Sequence, residues 1–160
     1  HKGLDCLLDA FFLAKKEGLP HTLIIIGSKE NFRTADTVVR QKINCDAVSF
    51  TGFISDERLM EYISAAALLV QPSLYEGFGL PPLEAMVLGT HALISDIPVF
   101  KEIYASYPAT FFRAADPDDL KEKMMRLLFG QKPPSPVLPD ALLYKYAFEK
   151  TASIILEELK

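Results

Sequence analysis

Residues 65–89 constrain the fold more than any other stretch, because they read in order as a strand, a glycine-bracketed loop and a helix. Ala65-Ala66-Ala67-Leu68-Leu69-Val70 is an apolar run of the length of a buried strand. It stops at Pro72-Ser73, where proline removes a ladder donor. A loop therefore begins there. Gly77 and Gly79 flank Phe78, which opens positive φ to the backbone and leaves main-chain N–H groups uncovered. Pro81-Pro82 suits a first helical turn, where a missing N–H costs little, and residues 83–88 predict a short buried helix stopped by Gly89. Such a helix N-terminus carries about half a positive charge and several unsatisfied donors, so a phosphate is a natural ligand.

Two carboxylates, Glu76 and Glu84, stand eight positions apart in this unit. Glu84 is expected in the first turn of the helix, where an acid that complements the dipole is an ordinary structural feature. Glu76 caps nothing obvious ahead of Gly77-Phe78-Gly79, and the plain alternative for it is a solvated loop charge.

Elsewhere strands alternate with helices, the pattern of a parallel sheet covered on both faces. A helix is expected over 4–17, a strand over 22–26, a charged surface helix over 30–44 and a strand over 47–51. Ser55-Asp56 caps a helix through Ala65. After the glycine unit come a strand over 91–95, a helix over 99–104, a strand over 110–112 and a helix capped by Asp116-Pro117 that runs to Phe129. Five strands are visible. Residues 131–140 hold four prolines and read as an extended connector between a domain at 1–130 and a final helix over 141–159 within the C-terminal segment 141–160.

Composition excludes several classes. At 160 residues and 49% hydrophobic, one core can form. A net charge of -4 with no clustered Lys/Arg face excludes a nucleic-acid footprint. Cys6 and Cys45 have no metal spacing and read as reduced thiols of a cytoplasmic protein; His1, His21 and His91 are scattered, so zinc is not expected. No apolar run reaches the length of a spanning helix, and peripheral contact at the inner face of a membrane stays open.

Gln71-Pro72-Ser73, Glu76-Gly77-Phe78-Gly79-Leu80-Pro81 and Glu84-Ala85-Met86, in this order, resemble the Glu-x7-Glu signature of retaining, nucleotide-sugar-dependent glycosyltransferases with the GT-B fold, the group-1 or family-4 class. The resemblance extends to His1-Lys2-Gly3-Leu4-Asp5, Leu23-Ile24-Ile25-Ile26-Gly27, Phe50-Thr51-Gly52-Phe53-Ile54 and Ser95-Asp96-Ile97-Pro98. It implies a Rossmann-like, doubly wound parallel sheet, the C-terminal donor-binding half of such an enzyme. It further implies that Glu76 is catalytic and contacts the donor sugar, and that Glu84 binds the ribose. Lys2, Gly77, Phe78, Gly79 and Leu80 would hold the sugar and diphosphate, with Phe53 and Ile54 beside the base. A further basic residue, usually Arg, precedes the Lys-Gly site in the family and would lie before His1.

A sheet of order 3-2-1-4-5-6 builds outward from its first strand, and the chain opens at the loop that follows that strand. The expectation is a fragment without its central strand, inactive alone, with a sheet interrupted beside strand 22–26. Transfer from a nucleotide-sugar requires positive potential at the departing diphosphate and acids beside an oxocarbenium-like sugar. Lys2 and the helix dipole supply the former, and with no Asp-x-Asp pair expected, neither a metal nor a cofactor is expected. The long signature looks most like mannosyltransferases of bacterial surface polysaccharide synthesis. That raises a GDP-sugar, GDP-mannose, slightly above a UDP-sugar; a glycan or lipid-linked acceptor would be met by an absent N-terminal domain. The alternatives are a noncatalytic nucleotide-sugar-binding module and a GT-B sugar-nucleotide epimerase.

Overall fold

The computed structural model describes residues 2–28 and 45–130. Its elements alternate as read from the sequence: α1 (Leu4–Lys16), β1 (Leu23–Ile25), β2 (Val48–Phe50), α2 (Asp56–Ala65), β3 (Leu69–Gln71), α3 (Leu80–Val87), β4 (Ala92–Ser95), α4 (Pro98–Tyr104), β5 (Thr110–Phe112) and α5 (Pro117–Phe129). The expected helix over 30–44, the connector over 131–140 and the final helix lie outside the described residues.

Among the described residues all strand pairs are parallel, and they fall into two sheets, β1-β2 and β3-β4-β5. The interruption expected beside the first apolar strand is therefore present: β1 pairs with β2 and not with β3. In β4 successive side chains serve opposite layers. Leu93 joins a core with Leu8, Phe11, Leu120 and Met124 from α1 and α5. Ile94 joins a second with Met86, Phe100 and Tyr104 from α3 and α4. Helices thus cover both faces of this sheet, the doubly wound arrangement. Each fully buried Leu or Phe contributes about 1.5–3 kcal/mol of transfer free energy.

Local signals set the boundaries. Ser55 Oγ accepts from Arg58 N at the start of α2, and Asp116 Oδ1 from Asp119 N at the start of α5. α2 holds Ala65 before its cap at Ala66, so β3 begins only at Leu69 and the apolar run is part helix, part strand. α3 ends in paired bonds, Thr90 N to Ala85 O at 2.8 Å and Gly89 N to Met86 O at 3.1 Å. Its start corrects an expectation. The helix opens at Leu80, three residues early, so Glu84 is its fifth residue and no acid stands in its first turn. Glu84 is not a dipole cap.

Both cysteines are free. Burial pushes the Cys6 thiol up to about 11, with further help from Asp116 and Asp9. The thiolate is the nucleophile, so at pH 8 Cys6 should alkylate about two orders of magnitude more slowly than an unfolded thiol of pKa ~8.5. Mass-resolved iodoacetamide labelling of native and denatured protein checks this; equal rates would contradict it. Among the described residues no helix is long and apolar enough to cross a membrane.

Candidate functional site

A hydrogen-bonded cluster of polar side chains lies at the carboxyl end of β3. Gln71 closes the strand, Pro72 and Ser73 are buried, and the loop then carries Glu76 and the glycines to the start of α3. Glu76 is only 14% exposed at its side chain, yet it is charged in ordinary conditions. Burial pushes its carboxyl up, but hydrogen bonds from Lys2, Ser73 and Gln71, together with the Lys2 charge, outweigh that and hold it below the usual range. The Lys2 ammonium lies 2.7 Å from Glu76 Oε1.

Lys2 reaches this point because of Gly3. That residue is the N-cap of α1, sits at φ +67°, and lies so close to the loop that an added Cβ would be 1.8 Å from the Pro72 carbonyl oxygen. Only glycine fits such an approach. Gly79 plays the matching part at the start of α3, with φ +80° and an added Cβ 2.4 Å from Phe100 Cε1. Tyr104 Oη donates to the Gly79 carbonyl, so α4 braces the glycine loop from behind. Neither α1 nor α3 has a side-chain cap; this leaves the first-turn N–H groups of α1 open to an anion, whereas α3 begins Leu80-Pro81-Pro82 and so offers the positive end of its dipole and the Leu80 N–H, the two prolines having none.

The structure thus joins Lys2 and Glu76, expected from sequence, with Gln71 and Ser73, which were not assigned a role. A polar residue three and five positions before the acid was the available signal. Gly77, Phe78, Gly79 and Leu80 lie on the same loop, Leu80 opening α3. Glu84, half-buried one turn further on, makes no side-chain hydrogen bond or ion pair with the described residues. Phe53, 88% exposed, and Ile54 follow β2 in the other sheet, where the bond from Gly52 N to Gly27 O ties the ends of β1 and β2. No hydrogen bond or ion pair among the described residues links them to the Lys2–Glu76 cluster. Ser95 lies in the matched Ser95-Asp96-Ile97-Pro98 segment without a role assigned to it, and Phe100 and Tyr104 are supports with no sequence signal.

Two further features stand apart. A shallow cleft of about 430 Å3 past β4 and β5 is lined by Asp96, Lys101, Arg113, Asp119 and Lys123 and contains none of the expected residues. Its charges are paired, Lys101 with Asp96 at 2.8 Å and Lys123 with Asp119 at 3.6 Å within the cleft and Arg113 with the neighbouring Asp116 at 3.0 Å, so it reads as a surface ion-pair network. The chain also holds an Asp-x-Asp spacing, Asp116-Pro117-Asp118, which corrects the expectation of none. Asp116 is spent on the α5 cap and on Arg113.

Residues 1–136 match the family model described as glycosyl transferases group 1. The serotype-specific mannosyltransferase WbdA of Escherichia coli is 28% identical over 98% of this chain, which spans about one fifth of that protein. The C-terminal domain of LpcC, a glycosyl transferase group 1 family protein of Francisella tularensis, superimposes with a TM-score of 0.68 at 22% identity. That superposition covers 82% of this chain and 71% of that one. HepE of Anabaena, solved in complex with UDP-glucose, gives 0.63 at 26% identity over 79% of this chain and 35% of that one.

Proposed function

The chain belongs to the group 1 glycosyl transferases, with their α/β fold of parallel strands, and on that premise we propose that it binds a nucleotide-sugar and transfers the sugar with retention of configuration. The observation that carries the reading is the meeting of Lys2 and Glu76, 2.7 Å apart, at the carboxyl end of a parallel strand and ahead of the uncapped α3. Parallel α/β sheets bind ligands at that end. Lys2, the positive end of the α3 dipole and the Leu80 N–H answer the negative diphosphate, whose departure leaves a positively charged sugar. Glu76, held ionised, faces that sugar and anchors its hydroxyls. Glu84, whose side chain has no hydrogen-bond or ion-pair partner among the described residues, takes the ribose hydroxyls, and Phe53 and Ile54 lie beside the base.

HepE was solved with UDP-glucose, which supports a nucleotide-sugar as the ligand class. WbdA is named a mannosyltransferase, which weights a mannosyl donor, GDP-mannose, in this reading. The acceptor is proposed to be a glycan or lipid-linked glycan at the cytoplasmic face of the membrane, in surface polysaccharide synthesis. A calorimetric or thermal-shift series with GDP, UDP, ADP and their sugars tests the core of the proposal. One nucleoside diphosphate and its sugar should bind with at least about tenfold preference over the others. Equal indifference to all of them would overturn it.

A further inference from the structure

Three donors converge on a single oxygen of Glu76. Oε1 accepts from Lys2 Nζ at 2.7 Å, from Ser73 Oγ at 2.8 Å and from Gln71 Nε2 at 3.1 Å. Oε2 has no partner among the described residues. We propose that Gln71 and Ser73 are positioning residues that hold the Glu76 carboxylate by Oε1 and keep Oε2 presented to the donor sugar after Lys2 is drawn to the diphosphate. The inference rests on the donor-site reading for what Oε2 meets.

The three donors are not equivalent. Lys2 is the one charged group facing Glu76 among the described residues, and its side chain is 61% exposed on a flexible stem. A diphosphate carries more negative charge than one carboxylate and competes for that ammonium. Gln71 and Ser73 are neutral, so a phosphate exerts no comparable pull on them. They are also fixed by their own partners. Gln71 Nε2 donates to Ser73 Oγ at 3.0 Å as well, which leaves the Ser73 hydroxyl proton for Glu76. The Ser73 carbonyl in turn accepts from Ser95 Oγ at the end of β4, and both serines are fully buried. The carboxylate is therefore oriented from the sheet itself, by a network whose members satisfy one another. Lys2 is the exchangeable member. Binding of the diphosphate and orientation of the sugar-facing acid can then proceed without one dismantling the other.

The test uses the full-length protein and two readouts. Calorimetry with UDP and UDP-glucose, and with GDP and GDP-mannose, gives the factor by which the sugar improves binding. Carbon-13 NMR of labelled glutamate, with Glu76→Gln to identify the signal, gives the Glu76 titration. Ser73→Ala and Gln71→Glu should each reduce the sugar's factor by about five- to tenfold, the loss of a hydrogen-bonded anchor, and leave nucleoside diphosphate affinity within about twofold. Both should move the Glu76 titration to higher pH, because each removes donors to the ionised form and Gln71→Glu adds a like charge. The charge that Gln71→Glu adds moves the Glu76 titration whatever Gln71 does, so it is read beside Gln71→Met, which keeps the length of the side chain without donor or charge; a purely packing role for Gln71 would leave both readouts of Gln71→Met unchanged. If Glu76→Gln lowers the sugar's factor while Ser73→Ala and Gln71→Met leave factor and titration as in the parent, positioning is overturned and the donor site stands. If Glu76→Gln leaves the factor unchanged, the donor-site reading falls and the titration alone decides whether the two residues hold the carboxylate. Should Ser73→Ala fail to fold, the partly exposed Gln71 carries the test.

Discussion

Glu76→Gln is expected to lower sugar transfer at saturating donor by about 10²-fold, equivalent to about 2.7 kcal/mol of transition-state stabilisation, with nucleoside diphosphate binding nearly unchanged. Glutamine keeps the shape and loses the charge, and the charge matters most when the sugar becomes cationic. The paired measurement is Glu84→Gln, which should weaken nucleoside diphosphate and nucleotide-sugar together by about tenfold or more, since a ribose contact is common to both ligands. Steady-state rates and calorimetric titration of both variants in the whole protein decide between a donor site and two ordinary surface acids. Unaltered kinetics and binding in both variants would remove the assignment. The dipole-cap alternative for Glu84 is removed by the structure, because the helix begins four residues before it.

Gly3→Ala should cost about 3 kcal/mol or more of stability. A β-carbon at φ +67° strains the backbone by about 1–2 kcal/mol, and the position 1.8 Å from the Pro72 carbonyl oxygen cannot be occupied without moving one of two backbones. The shift separates α1 from the loop after β3, so the Lys2–Glu76 pair should be lost with it. Chemical denaturation reads the first effect. Loss of nucleoside diphosphate affinity in the folded fraction reads the second. A variant as stable as the parent, binding as tightly, would show that the close approach of Gly3 to Pro72 does not organise the site. Lys2→Ala separates the two effects, since it deletes the charge and leaves the backbone in place.

Much of the architecture was legible because the local signals agree with one another. Ser55 and Asp116 announce two helix starts that the structure confirms by their cap bonds, and Gly89 marks the end of α3. β5 was read to the residue. Boundaries moved where two signals overlapped: the alanines after Ile63 suit a helix end as well as a strand start, and α2, already nucleated by its cap, keeps Ala65. α3 starts at Leu80 because Gly79 takes the left-handed conformation at its N-cap, which a proline-based reading of the turn placed three residues later.

The sequence by itself determined the order of elements, the glycine loop between β3 and α3, and the two acids it carries, because periodicity, caps and turn chemistry act within a few residues. Distance along the chain is where that reading ends. That Lys2 meets Glu76, that Ser95 grips Ser73 from the next strand, and that Tyr104 holds Gly79 are contacts across 74, 22 and 25 positions. No local propensity encodes them. The parallel pairing of β3 with β4 and the packing of α1 and α4 on opposite faces bring these groups together, and the burial that results lets three hydrogen bonds outweigh the desolvation of Glu76.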